Sequence, residues 1–323
     1  MTVWVDVVAR ARGLRTHRLP PGQLTALRRA ADLKELGAAL ARAGFPVEEG
    51  EHRPDALELA VRRRAAAELR VLARRCGNRA AVLPVIFEDE DRRSLRAILR
   101  GSLQHQGPDA RLRGLVPTPT LPERALAEAA AAPTPGAVAA LLTIWNHPFA
   151  AGLRLPASAA APDPLALDLA LDRAWAARAM NGASRGGSEL ARFVGDAIDL
   201  MNAATVLART GMAPARAPEL YLDGGPRITR TAFSALLTRD RTVALPALAD
   251  LFGGTTYGPV LRRAGARGVE EALLAARLEV ERRAALRAPL SIAPALWYAL
   301  ELRSESLALS RIIWGLALGA PVP

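Results

Sequence analysis

Two aspartates, Asp196 and Asp199, stand three residues apart in the stretch FVGDAIDLMNAATVLARTGMAP, residues 193–214. Carboxylates at that spacing share a helix face, and a close pair can work as general acid and general base. The stretch reads as a helix. Phe193, Ala197, Leu200, Met201, Ala204 and Leu207 form its apolar face, and Gly211 and Pro214 stop it. The other chemistry-bearing residues lend the pair no support. His17, His52, His105 and His147 include no i,i+3 or i,i+4 pair, and Cys76 is the only cysteine, so the spacing predicts no metal site. His147, in NHPF, reads as a turn residue. The glycine pairs at 186–187, 224–225 and 253–254 are not followed by Lys and Ser/Thr, which excludes a phosphate-cradling loop. No convincing strand precedes them, so a dinucleotide site is unsupported. The most suggestive of them, YLDGGPRITR (221–230), reads as a tight turn with a short extended flank. No GxSxG elbow or Ser, His and Asp arrangement is present. The chemistry-bearing residues therefore predict no catalytic centre, metal or cofactor.

The elements that carry these residues are helical. The chain has 323 residues, half of them hydrophobic, with few aromatics. Ala, Leu and Arg dominate and are good helix formers, whereas runs rich in Val, Ile, Thr and Tyr are nearly absent. The formal charge is +11, and all but one of the 43 cations are arginines, since Lys34 is the sole lysine. An arginine bias of this kind follows from genome composition, but the net charge still draws the chain towards nucleic acid, anionic membrane or acidic partners. The clusters at 62–64, 74–75, 92–93, 262–263 and 282–283 read as solvated helix faces able to meet phosphates or carboxylates. They lack the aromatic interleaving of single-strand binders, and no helix-turn-helix or zinc-finger signature accompanies them. One cysteine allows no internal disulfide, which fits a reducing compartment. The N-terminal run MTVWVDVVARARGLR puts its apolar residues before its arginines, the reverse of a secretory signal. No window reaches 18 uninterrupted apolar residues, so no membrane-spanning helix is expected.

Three stretches repeat: ADLKELGAALARAGFP (31–46), PTPGAVAALLTIWNHPF (133–149) and DRTVALPALADLFGGTTYG (240–258). Each opens on a capping residue, runs about three helical turns and stops at Gly or Pro beside Phe45, Phe149 or Tyr257. Asp32 with Glu35 forms a capping box, and Thr134 with Pro135 an N-cap and N1 pair. A second landmark follows each: an acid near a helix start with aliphatics four and eight residues on, namely Asp91, Asp196 and Glu305. The aromatic-to-acid spacings are 46, 47 and 48 residues, and the acids lie 105 and 109 apart. The chain thus reads as three helical units, 1–114, 115–216 and 217–323. Pro-rich connectors at 114–123 and 210–220 separate them, and a further loop is expected at 155–164. Recurrence of the acid argues for a structural or interface role rather than catalysis.

Taken together these landmarks resemble the C-type subunit family of the V/A-type rotary ATPases, relatives of the d-type subunit of eukaryotic V-ATPases. VVARARGL (7–14) resembles that family's opening helix, with Arg10 and Arg12 as its alternating arginines. EDRRSLRAILRG resembles its Asp-x-x-Asn-Leu helix, with Ser94 where Asn is usual, and GDAIDLMNA resembles it again, with Asp199 at the Asn position. YLDGGPRITRTAFSALL resembles the opening of the third unit and LRSESLALSRIIWG the C-terminal helix. The resemblance covers nearly the whole chain and implies an all-α fold of three pseudo-repeated helical bundles around a pseudo-threefold axis, shaped like a funnel. It implies a non-catalytic rotor component without cofactor, linking the central shaft to the proteolipid ring and transmitting rotation between ATP turnover and proton or sodium translocation. The expected place is cytoplasmic, peripheral on the inner membrane face, with the shaft, the proteolipid ring and the membrane surface as partners and no nucleic acid. Arg10, Arg12, Asp91, Arg100, Asp196, Asp199, Arg209, Glu305 and Arg311 are the candidate interface residues, the acids meeting arginines of this chain or a partner. A basic helical-repeat scaffold that binds nucleic acid or an acidic partner is the alternative, distinguished by strongly salt-dependent binding.

Overall fold

The computed structural model describes residues 4–77, 79, 84–213, 216–263 and 269–320. It is 73% helix, and no strand occurs among the described residues. Pro214, expected to close the 193–214 helix, lies outside them. In chain order the helices are α1 (Val5–Arg15), α2 (Pro21–Leu27), α3 (Leu33–Arg42), α4 (Pro54–Cys76), α5 (Asp89–Leu103), α6 (Pro108–Leu112), α7 (Glu123–Ala131), α8 (Pro135–Ile144), α9 (Ala150–Ala157), α10 (Pro164–Gly186), α11 (Ser188–Arg209), α12 (Arg230–Leu237), α13 (Arg241–Leu251), α14 (Gly258–Arg262), α15 (Val269–Arg287) and α16 (Ala293–Leu318).

Local signals set most of these boundaries. At α3 the Asp32 carboxylate accepts from the Glu35 N–H at 2.8 Å, and Glu35 reaches back to the Ala31 N–H at 2.7 Å. At α8 the Thr134 hydroxyl accepts from the Ala137 N–H at 3.2 Å, ahead of Pro135 at N1. The same reading fails at α13, where the Asp240 side chain makes no capping bond. Helix α3 ends on Gly44 at φ +81° and α8 on Asn146 at φ +52°, the two residue types that take the left-handed cap most readily. The next N–H in each, of Phe45 and His147, then bonds back to Leu40 and Leu142 at 3.1 and 2.8 Å. Phe45, Phe149 and Tyr257, read as stop-point aromatics, are all buried. The loop expected at 155–164 is shorter: α9 runs on to Ala157 with Pro156 in its last turn.

The chain divides into two compact units, one of residues 1–8 with 172–297 and the other of 9–171 with 298–323. In the second of these, Leu19, Leu36, Leu40, Phe45, Leu57 and Val61 pack with Leu309, Ile312 and Ile313, so the start and end of the chain share one core. Leu36 and Leu40 lie one turn apart on α3, and burying each contributes about 1.5–3 kcal/mol. In the other unit Phe252 and Tyr257 meet edge-to-face at 6.1 Å, and Tyr221 packs on Phe233 at 5.4 Å. No helix among the described residues is long and apolar enough to cross a membrane.

Candidate functional site

In the unit of residues 172–297, α11 carries Asp196 and Asp199 on its buried side. Asp199 is a backbone acceptor. Its Oδ2 takes the Arg227 N–H and its Oδ1 the Ile228 N–H, both at 3.0 Å. The Arg227 guanidinium reaches Asp196 at 2.6 Å and Asp199 at 3.4 Å. Arg192, one turn before Asp196, contacts it at 3.3 Å and forks onto Glu281 of α15 at 2.9 and 2.6 Å. Burial raises the Asp199 carboxyl above the usual range, although the two N–H groups and Arg227 pull the other way. Burial also opposes the charge on Arg192 and Arg227, but their carboxylate partners outweigh it and raise both. Both aspartates are occupied by this chain's own donors. The arrangement holds the 221–229 segment against α11.

The glycine pair in that segment is a seat for the acid. A Cβ on Gly225 would fall 2.1 Å from Asp199 Oδ1. One turn on from Asp199, the Asn202 amide donates to the Leu222 carbonyl at 2.9 Å and accepts the Leu222 N–H at 3.0 Å.

In the other unit Asp91, fully buried on α5, accepts the hydroxyls of Thr118 and Thr120. His147 Nε2 lies 3.3 Å from the same carboxylate. The Phe149 N–H donates to His147 Nδ1 at 3.3 Å. Nδ1 is therefore unprotonated and the Nε2–H donates to Asp91. The Leu121 N–H bonds to the Thr118 hydroxyl at 2.9 Å, so it reaches Asp91 through one relay. Glu305 of α16 accepts the Leu19 N–H at 2.9 Å, with Arg18 Nε at 3.5 Å.

These three contacts have the same form. Leu19, Leu121 and Ile228 are buried aliphatics, each two residues ahead of a helix start, of α2, α7 and α12. Each gives its N–H to an acid on a later or earlier long helix, directly in two cases and through Thr118 in the third. With connectors 115–123 and 222–230 in register, Thr118 stands opposite Gly225. The threonine hydroxyl fills the space that the glycine leaves for a direct bond. By its hydrogen bonds Asp91 matches Asp199 more closely than Asp196, and Ser94, three residues after Asp91, matches Asn202 in spacing.

Two expected outcomes follow from that register. Ser94, opposite Asn202, is buried with its hydroxyl unbonded. The Leu115 N–H is already given to the Leu112 carbonyl at 3.3 Å, so Ser94→Asn should add only the donor half of the clasp, to the Leu115 carbonyl, and stabilise by about 1 kcal/mol, one net hydrogen bond. A urea midpoint that stays level or falls would reject the match. Burial also raises the Glu305 carboxyl above its unfolded 4.5, against the pull of Arg18 and the Leu19 N–H. The charged form therefore costs stability at neutral pH, and that cost vanishes as pH falls through the raised value towards 4.5. Glu305→Gln keeps an acceptor for Leu19. It should be neutral or stabilising by up to about 1 kcal/mol at pH 7, and the difference from wild type should shrink on acidification. A difference that grows on acidification would refute this assignment.

Of the remaining candidates, Arg100 joins Arg96 on Asp168, bracing α5 against α10. Arg10, Arg12, Arg209 and Arg311 are exposed and take no part in the three contacts. The sequence reading missed Thr118, Thr120, Arg192, Arg227, Glu281 and the role of His147. The matching positions of the two connectors were a signal that could have found Thr118 and Arg227.

Among the described residues no group of three or more His, Cys, Asp or Glu side chains could hold a metal ion. No curated protein matches the chain. The family model for the ATP synthase (C/AC39) subunit matches residues 7–322. A chain matched over nearly all its length, whose recurring acids hold its own connectors, belongs to the ATP synthase (C/AC39) subunit family and so to the subunits of rotary ATPases.

Proposed function

We propose that this chain is the central-stalk rotor component that joins the shaft of a V/A-type ATPase to its proteolipid ring and carries rotation between them without catalysing a reaction. The match over residues 7–322 carries the reading. The geometry supports it through the acids. Asp199 and Glu305 each hold a connector N–H, Asp91 holds one through Thr118, and a stiff body needs such bracing where a catalytic acid needs access. On this reading three units, 1–114, 115–216 and 217–323, surround a pseudo-threefold axis, and the order of helices supports the repetition of the second and third. α7 to α11 run short, short, short, long, long, and α12 to α16 repeat that order. The long pairs are 23 and 22 residues in one and 19 and 26 in the other. On this reading the shaft, the ring and the inner membrane face are its surroundings.

Membrane vesicles stripped of this protein and reconstituted with it test the proposal. Restored ATP-driven ion uptake, with unchanged ATP hydrolysis by the detached head, is expected. Loss of hydrolysis in the detached head on omitting the chain, or uptake that does not need it, would sink the reading.

A further inference from the structure

Eight large hydrophobic side chains are conspicuously exposed among the described residues, and two of them lie within five residues of each other. Leu286 is 63% and Leu290 64% exposed, at the turn between α15 and α16. Slack packing does not explain them. Beneath the turn Ala284, Ala285 and Ala293 close a small core against Trp297, and Ile292 and Leu296 are buried. The turn has its own interior, and the leucines are excluded from it. Around them stand Arg282, Arg283, Arg287 and Pro289, all exposed. Glu279 pairs with Arg282 and Arg283, both at 2.7 Å, while Arg287 makes no ion pair among the described residues. Arg287 instead donates to the Arg283 carbonyl at 3.4 Å. Three guanidiniums against one carboxylate leave the tip with a net positive charge. The other described tip between long helices, at Gly186 and Gly187, exposes no large hydrophobic residue.

Two exposed leucines ringed by arginines at a helix end combine the two side-chain types that meet a lipid surface. The aliphatic groups enter the headgroup boundary and the guanidiniums meet phosphate. We propose that the α15–α16 tip is a contact site for an anionic lipid surface. The proposal deepens the rotor reading, which it rests on for the membrane face, by naming a lipid contact, and because its test contains no ring or shaft its failure is distinguishable from that reading's.

The experiment is co-sedimentation of the purified full chain with vesicles of phosphatidylcholine alone or mixed with phosphatidylglycerol. Partitioning onto the mixed vesicles is expected, and much less onto the neutral ones. Leu286→Ser with Leu290→Ser should lower it about tenfold or more. Arg287→Gln should lower it about fivefold, the worth of one basic residue near such a surface. Arg42→Gln, at an exposed position at the end of α3, should change it little. All of these positions are exposed, and thermal melts matching wild type confirm folding. Equal binding to both vesicle types, no binding to either, or losses no larger than that of Arg42→Gln would overturn the proposal.

Discussion

Gly225→Ala should destabilise the unit of residues 172–297 by about 3–5 kcal/mol, as overpacking adds to the loss of buried hydrogen bonds. The added methyl would sit 2.1 Å from Asp199 Oδ1, 2.7 Å from its Cγ and 3.1 Å from its backbone N. The clashing carboxylate ends the Asp199 side chain, but the Arg227 and Ile228 N–H groups and the Arg227 guanidinium hold it in place. Relief requires swinging it away or lifting the 224–228 segment, and either breaks the bonds from the two N–H groups to Asp199. The two residues should therefore be coupled. In an Asp199→Ala background most of the clash is gone, so Gly225→Ala should cost far less there than in wild type. Urea unfolding of the four proteins in the cycle measures this. Additive costs would show that the glycine is not a seat for the acid.

Asp91→Ala should cost about 3–5 kcal/mol, the usual consequence of removing one partner from a buried charged network. It leaves the Thr118 and Thr120 hydroxyls only each other, at 3.1 Å, strands the His147 Nε2–H and cuts the relay that fastens Leu121. Asp91→Asn should be milder, about 1–2 kcal/mol. A threonine hydroxyl can turn to accept from the new amide, whereas His147 Nε2 keeps its proton because Nδ1 is taken by the Phe149 N–H. If alanine and asparagine cost the same, the carboxylate is not the hub of this cluster. Thr118→Val in wild type should reproduce part of the alanine loss, since it removes the relay and leaves the acid.

The helices and their ends were legible in the sequence because the forces that set them act within a turn or two. Asp32 with Glu35 and Thr134 with Pro135 complete their bonds inside one helical turn, so spacing alone reveals them. Gly44 and Asn146 end their helices for a steric reason that belongs to each residue by itself. Asp240 shows the limit. The residue type was right for a cap, yet its side chain makes no capping bond. The arginines were legible only as charge, and Arg92, in a pair read as a solvated face, is buried against Asp89 at 2.7 Å. Arg192 and Arg227 are in fact committed to Glu281, Asp196 and Asp199, partners that charge counting does not name.

The sequence by itself determined an all-helical chain, several of its helix ends, the buried aromatics that follow α3, α8 and α13, and the recurrence of an acid, carried by α5, α11 and α16; the acid stands near a helix start only in α5, since Asp196 is ninth in α11 and Glu305 thirteenth in α16. Only the tertiary structure decided which acid plays which part. Asp196 and Asp199 sit on the same helix one turn apart and are equivalent to any periodicity argument. They are distinguished by a connector that folds back 28 residues later and offers two N–H groups to one of them. The same holds for Asp91 and His147, 56 residues apart, and for Glu305 and Leu19, 286 apart. Bonds over such separations depend on where packing brings the backbone, and the residue types at either end do not record it.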